Sequence, residues 1–279
     1  MRFRQFYLVW VQIFYGCMKV YPYKILSQHN MSPIYGTHNS CTYGSLLNSC
    51  SCVVLPWVRN QSLTITEQLE KGIRWLDFRV SFSKGNVYLS HTYLMEHTFT
   101  SVMEEIANHL TQHPDSPFLF LHLRVDFNDR ANQADIQPIV QDILSSYSSV
   151  CIQKDAFDAT TPLLENKTTG KVLFYCADGT LSHPSLFASD LMPTLYGWDA
   201  GSIDALEERL LNMDAFFEKQ TQSFLYPKER MINFDYSSTA PLWYTDRQQI
   251  QLMKKHGSLM SNVTILAGNH VEDWLDLFQ

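Results

Sequence analysis

Apolar residues arrive along this chain in short bursts with two different spacings. Ile73–Val80, Phe118–Val125, Lys171–Cys176, Thr194–Trp198, Met231–Phe234 and Val263–Ala267 are short and rich in β-branched and aromatic side chains. Such runs read as strands, and the unbroken run Phe118–Val125 as a strand buried on both faces. Between them the spacing becomes helical. Thr64-Ile65-Thr66-Glu67 offers a capping box to a helix through Lys71, which Gly72 ends, and Ser101–Glu104 opens an amphipathic helix with Val102, Ile106 and Leu110 inward, stopped by Pro114. Further helical segments lie around Ile136–Tyr147, Ile203–Lys219 and Asp246–His256. Ile34 leads a short strand into Gly36. Ser83-Lys84-Gly85-Asn86 is a turn signal, and Asn86–His91 then reads as a strand. Too few residues separate it from Ile73–Val80 for a helical crossover, so the two form an antiparallel hairpin that returns His91 opposite Phe78.

With a short strand at Val150–Gln153 added, and the return arm of the hairpin set aside, the count is eight central strands alternating with helices. The expectation is therefore an α/β chain folded as an irregular (β/α)8 TIM barrel, with a β-hairpin extension after the second strand. Active sites in such barrels lie at the carboxyl ends of the strands, where His38, Asp77, Arg79, Arg124 and Asp199 all fall.

Composition narrows the classes. At 279 residues and 45% hydrophobic, the chain can bury a substantial core, and residues 20–279 read as one barrel domain. A formal charge of -7 without a basic run argues against nucleic acid or anionic lipid as an electrostatic partner, and nothing points to a protein partner. Membrane contact would have to be aromatic and apolar. The six cysteines show no pair of metal-ligand clusters; a bridge from Cys41 to Cys50 or Cys52 is open only in an oxidising compartment. Residues 1–19 read either as a signal peptide, with Arg2 and Arg4 ahead of an apolar Phe6–Tyr15, or as a first helix packed on the domain. Secretion and a cytoplasmic location both stay open on that point, and the sequons at Asn30, Asn60, Asn166 and Asn262 support secretion only weakly.

The candidate chemistry sits in Gly36-Thr37-His38-Asn39 and in the hairpin. Side chains two apart on a strand share a face, so Asp77 and Arg79 project together, with His91 returning beside them. Two histidines across a carboxylate and an arginine form a general acid/base set suited to a phosphodiester.

At these residues the sequence resembles the phosphatidylinositol-specific phospholipase C X domain, in its small bacterial-type, single-domain form. Tyr35-Gly36-Thr37-His38-Asn39-Ser40 meets the family's opening "PGTHDS", and Gly72–Arg79 meets "GIRxxDIR". Tyr88-Leu89-Ser90-His91-Thr92 looks like "xLHHG" with one histidine kept. Leu123-Arg124 stands at the lysine-bearing third strand, Gly170-Lys171-Val172 at the "GK" strand, Trp198-Asp199 at the "QD" strand and Ile232-Asn233-Phe234 at "INF". The resemblance implies cleavage of phosphatidylinositol-like lipids to diacylglycerol and inositol phosphate through a cyclic intermediate. It implies His38 as general base, His91 as general acid, Arg79 against the phosphate, Asp77 as the orienting carboxylate, and Arg124 and Asp199 on inositol hydroxyls. No cofactor is implied. Calcium-dependent eukaryotic members hold a metal with carboxylates where Arg79 stands, so no catalytic metal is expected.

Two departures stand out. Asn39 replaces the aspartate beside the general base, and Asn269 stands where the last strand's supporting aspartate would be, so His38 is expected to be a weaker base and activity low or redirected. Trp57, in Leu55-Pro56-Trp57-Val58, looks like a rim helix pressed into lipid during transient membrane contact, and Trp243-Tyr244 falls on a loop after the seventh strand. Two rival readings remain. One is a glycerophosphodiester phosphodiesterase, disfavoured by Arg79 where a Glu-x-Asp metal site would need a carboxylate. The other is a barrel that binds inositol lipids or sugar phosphates without turnover.

Overall fold

The computed structural model describes residues 33–47, 51–158, 160–165, 168–220, 222–235, 242–260 and 262–277, with backbone alone at 51–53, 164, 199 and 242–244. The segment 1–19, Cys17, Cys50 and the sequons at Asn30 and Asn166 lie outside these residues, as do the side chains of Cys52, Asp199, Trp243 and Tyr244. Cys41, Cys151 and Cys176 are free, buried thiols.

In chain order the elements are β1 (Ile34–Thr37), α1 (Ser51–Val58), α2 (Ile65–Glu70), β2 (Trp75–Ser83), β3 (Asn86–His91), β4 (Tyr93–Thr98), α3 (Phe99–Gln112), β5 (Leu119–Val125) and α4 (Gln133–Ser146). The second half holds β6 (Val172–Tyr175), β7 (Leu186–Phe187), β8 (Thr194–Tyr196), α5 (Ile203–Leu211), α6 (Met213–Glu218), β9 (Met231–Phe234), α7 (Leu242–Lys255), α8 (Gly257–Met260) and β10 (Ile265–Gly268). The strands β7-β6-β5-β2-β1-β10-β9-β8 form one curled sheet in that order, every neighbouring pair parallel. Among the described residues β7 and β8 do not pair with each other, so this is an irregular α/β barrel with an open seam. The hairpin is present as expected, Val80 pairing with Leu89 antiparallel, and β4 continues it as a third strand.

Three expectations need correcting. Trp243 and Tyr244 lie, by their backbone, in the first turn of α7 and not on a loop, because the helix that ends at Lys255 begins at Leu242. The eighth strand is not Val150–Gln153: only Cys151 forms an isolated parallel bridge, to Val172, and Leu186–Phe187 takes the next stretch of the same β6 edge. Turns on both sides leave Val150–Gln153 too short to form a ladder. Ile203–Lys219 is not one helix, because Asn212 leaves the helical conformation and serves as end of α5 and start of α6. Elsewhere local signals hold: Thr64 and Glu67 make the capping box, while α3 starts two residues before Ser101, with Thr98 accepting from the Ser101 N–H.

Strand alternation divides the core in two. Leu76, Phe78 and Val80 of β2, with Leu119, Leu121 and Leu123 of β5, pack outward in a large cluster that includes Val102, Ile106 and Leu110 of α3. Inward, Ile34, Trp75, Phe120, Leu173, Met231, Ile265 and Ala267 fill the barrel floor. Trp75 dictates its neighbour: a Cβ at Gly36 would come within 2.8 Å of the Trp75 ring, so β1 can pass only as glycine. The Trp75 indole N–H is satisfied by the Tyr175 hydroxyl at 2.8 Å.

Candidate active site

Two residues above the floor, the same inward faces turn polar. Register places Trp75 beside Phe120, Asp77 beside His122 and Arg79 beside Arg124, so the first step toward the carboxyl end replaces two aromatics with a carboxylate and an imidazole, and the second brings two guanidinium groups. Continuing the alternation from Ile34 and Gly36 brings in His38, from Met231 and Asn233 brings in Asp235, and from Ile265 and Ala267 brings in Asn269. Barrel closure thus gathers at one end residues that lie far apart in sequence.

His38 is the hub. Its Nδ1 lies 3.0 Å from Asn269 Oδ1, and its Nε2 lies 3.4 Å from an Arg79 guanidinium nitrogen and 3.6 Å from both Asp77 Oδ2 and Asp235 Oδ2. Asp77 is heavily used: the Asn39 N–H reaches Oδ2 at 3.2 Å, Arg124 stands 3.6 Å from Oδ2, and His122 Nδ1 lies 3.2 Å from Oδ1. His91 holds its Nδ1 2.9 Å from the Val58 carbonyl, which fixes the proton there and turns Nε2 away from that contact. Its ring centre is 6.4 Å from that of His38.

Burial sets the protonation states. It pulls His38 down to about 3, with Asp77 opposing the fall and Arg79, His91 and Arg124 adding to it. Burial, reinforced by Arg79, brings His91 down to about 4. Burial also raises Asp77, but Arg124, His122 and His38 outweigh it and hold the carboxyl well below the usual range. Asp235 moves the other way, up to about 7 through burial and the nearby Asp77, against the Trp198 N–H and both arginines. Carboxylates 3.6 Å from His38 would favour its charged form, yet burial wins in the ligand-free site, so His38 stands as a neutral acceptor beside groups that can stabilise an imidazolium.

The strand ends are strained where this set is presented. Among the described residues, the non-glycine positions of positive φ are Asn39, Lys84, Thr92 and His270. Lys84 belongs to the hairpin turn; each of the others directly follows His38, His91 or Asn269. Each N–H is tied down: Asn39 to Asp77 at 3.2 Å, Thr92 to Asp126 Oδ2 at 3.0 Å, and His270 to the Asn60 carbonyl at 2.7 Å. A β-branched residue such as Thr92 at φ 66 is costly, and such conformations persist only where surroundings impose them.

The structure therefore brings His38, Asn39, Asp77, Arg79, His91, Arg124 and Asn269 into one cluster. Asp199 lies by its backbone in the short turn after β8. The expectation that His38 lacks carboxylate support changes: Asn39 and Asn269 carry no charge, but Asp77 and Asp235 flank Nε2. Asp235 and His122 escaped the sequence reading. Asp235 immediately follows Ile232-Asn233-Phe234 and continues its inward alternation, and His122 shares the period of Arg124; those were the available signals. Among the described residues, no three His, Cys, Asp or Glu side chains are grouped so as to hold a metal ion.

The rim carries exposed aromatics. Trp57 of α1 is 46% exposed, and Tyr93, Phe127 and Trp198, two residues beyond His91, Val125 and Tyr196, are 40%, 77% and 61% exposed. All follow carboxyl ends of strands or the hairpin arm that bears His91.

A family model described as phosphatidylinositol-specific phospholipase C, X domain, matches residues 43–175, just under half of the chain. Asp77, Arg79, His91 and Arg124 fall inside this span and His38 precedes it. PI-PLC X domain-containing protein 1 of Homo sapiens is 38% identical over 65 residues, 20% of this chain and 20% of that protein. PI-PLC X domain-containing protein 2 of Homo sapiens is 41% identical over 76 residues, 26% of this chain and 23% of that protein. The matched stretch is thus about a quarter or less of each human relative's length. Among solved structures, the phosphatidylinositol-specific phospholipase C from Listeria monocytogenes superposes with a TM-score of 0.58 at 17% identity, over 86% of this chain and 89% of that one. A variant of the phosphatidylinositol-specific phospholipase C from Staphylococcus aureus gives 0.59 at 13% identity, over 87% of each chain. At such identities the likeness is one of fold, a phospholipase C-like α/β barrel.

Proposed function

We propose that this protein is a phosphodiesterase of phospholipase C type that cleaves phosphatidylinositol-like lipids without a catalytic metal. The observation that carries the proposal is the pair of histidines, ring centres 6.4 Å apart, each with Nδ1 held by an oxygen, and with His38 Nε2 lying against Arg79, Asp77 and Asp235. In this reading His38 Nε2 takes the proton of the inositol 2-hydroxyl as that oxygen attacks phosphorus. The bond from phosphorus to the glycerol oxygen breaks, and His91, which the bound phosphate's negative charge raises so that it takes up a second proton on Nε2, gives that proton to the departing diacylglycerol. The product is a cyclic phosphodiester, which water opens with the two histidines exchanging roles.

Arg79 answers the charge that grows on the phosphate oxygens, and planar, fixed donors of this kind are typically worth a few kcal/mol of transition-state stabilisation. Its Nε, like that of Arg124, has no hydrogen-bond partner among the described residues, which supports donors held in reserve for a ligand. Arg124 and Asp199 are assigned to the inositol hydroxyls, and Asp235 joins them, because a carboxyl near 7 can donate as well as accept. Asp77 orients the set.

The same residues argue for metal independence. Calcium wants six to eight oxygen ligands, whereas Asp77 is engaged by Asn39, Arg124 and His122, with two guanidinium groups close at hand. Head-group recognition at the rim brings Trp57, Phe127 and Trp198 to a bilayer surface, where aromatic side chains bind well; Trp243 and Tyr244 are assigned to this rim from sequence alone. A direct test of the acid role is His91→Ala on a substrate with a much better leaving group. Activity recovers on that substrate if His91 is the acid, and stays lost if His91 does something else.

A further inference from the structure

Behind His38 stands a chain of amides that ends in a carboxylate. His38 Nδ1 meets Asn269 Oδ1 at 3.0 Å, Asn60 Nδ2 donates to the same oxygen at 2.8 Å, and Asn39 Nδ2 donates to Asn60 Oδ1 at 3.3 Å. Asn269 Nδ2 in turn donates to Asp246 Oδ1 at 3.1 Å. A side-chain amide can be turned end for end, exchanging donor for acceptor, whereas an ionised carboxylate only accepts. Asp246 is therefore the member of this chain whose polarity cannot reverse. It holds the Asn269 nitrogen toward itself and so presents the Asn269 oxygen to His38. Two lone pairs 3.0 Å apart would repel, so His38 Nδ1 carries the proton and Nε2 keeps its lone pair toward Asp77, Asp235 and Arg79. The competing contact, Asn39 Nδ2 to His38 Nδ1, is longer at 3.4 Å.

We infer that Asp246, on helix α7 outside the strands, is a positioning residue for His38, acting through the Asn269 amide to fix the imidazole as its Nδ1–H tautomer. The inference rests on the reading of His38 as general base. Asp246 is 5% exposed, with His270 Nε2 3.5 Å from Oδ2 and Gln249 Nε2 3.4 Å from Oδ1; burial, helped by Asp273 and Glu272 and opposed by His270 and the Asn269 amide, raises its carboxyl to about 6, so it is an acceptor alone above that pH, where the tautomer is to be read. The resemblance calls for an aspartate at position 269; here that carboxylate stands one amide further back, on another element. As His38 takes a proton, Asp246 faces the new charge across Asn269, as an adjoining aspartate would do directly.

The test uses the full chain with ring-labelled histidine. Nitrogen NMR should find wild-type His38 neutral, with its proton on Nδ1. Asp246→Leu should give a mixture of tautomers and lower kcat on phosphatidylinositol vesicles by about 10–100-fold, the range for groups that orient a functional histidine, with KM little changed. The isosteric Asp246→Asn can donate or accept, so it should show the same mixing with a smaller loss, and it serves if the leucine variant does not fold. Asn269→Asp on the Asp246→Leu background hands His38 a carboxylate directly and should recover most of kcat. A wild-type His38 protonated on Nε2, unchanged tautomers in both Asp246 variants, or no recovery in the double variant would overturn the inference. Absence of phosphatidylinositol turnover in the wild type would defeat the proposed function instead, and the nitrogen spectra would still decide the role of Asp246.

Discussion

The floor of the barrel and its carboxyl-end layer are built from the same strands, on the same inward faces, and are buried alike: Trp75 is 0% exposed and Asp77 is 1% exposed. They differ in whether polar groups are satisfied. On the floor the Trp75 indole N–H meets the Tyr175 hydroxyl and most of the rest is apolar contact without direction, although Asn233 Oδ1, level with Trp75, has no hydrogen-bond partner among the described residues. In the upper layer Arg79 Nε, Arg124 Nε and Asn39 Oδ1 have no hydrogen-bond partner among the described residues, although each such burial disfavours folding by about 1–3 kcal/mol. Burial alone does not distinguish a core from a site. Donors held without acceptors, beside two histidines each held through Nδ1, do.

The largest expected effect falls on the upper layer. His38→Ala and His91→Ala should each lower turnover of phosphatidylinositol by about 10²–10⁴-fold, the usual value of one positioned proton transfer, with thermal stability retained. Near-normal rates in either variant would break the division between the layers. The floor should respond in the opposite sense. Trp75→Ala empties a fully buried site, so unfolding titrations should show a loss of about 3–5 kcal/mol, while the protein that remains folded keeps its KM. A rate defect without a stability defect would show that Trp75 acts in catalysis.

A smaller effect concerns pH. In the free site His38 is neutral above about 3 and His91 is protonated below about 4, so kcat/KM should decline as pH rises through and beyond that value. A bound phosphate places negative charge beside His91 and raises it, so the alkaline limb of kcat should lie at higher pH than that of kcat/KM. Coincident limbs would mean that His91 is not the acid. The smallest effect belongs to the rim: changing Trp57 and Trp198 to Ala should weaken binding to phosphatidylinositol vesicles and spare hydrolysis of a soluble cyclic inositol phosphate. Equal losses on both substrates would place these aromatics in the chemistry.

Much of the upper layer was legible because its residues sit in strand signals that are local. Asp77 and Arg79 share a period of two, and Lys84-Gly85 fixes the hairpin register that returns His91. Asp235 was not legible. It lies one residue beyond β9 and reads as a loop acid until the sheet curls and its alternation points inward. His122 was hidden in an apolar run, where its neighbours Leu121 and Leu123 face the helices instead. Asp246 lies on a helix, and no local pattern joins it to a strand-end asparagine 23 residues later. The eighth strand was misread because two short segments share one edge of β6, a fact of tertiary pairing that periodicity does not carry. The resemblance supplied roles for residues but no account of the asparagines, and it is in their surroundings that the barrel has rearranged its carboxylates.

Metal-free cleavage by the His38 and His91 pair is tested by phosphorus NMR of phosphatidylinositol vesicles incubated with the full chain in excess chelator. A cyclic inositol phosphodiester should appear as first product, released with diacylglycerol at the same rate with or without chelator, and none should form with His38→Ala. An enzyme inactive in chelator and restored by calcium, or a wild-type protein that releases no cyclic phosphodiester at all, would contradict it.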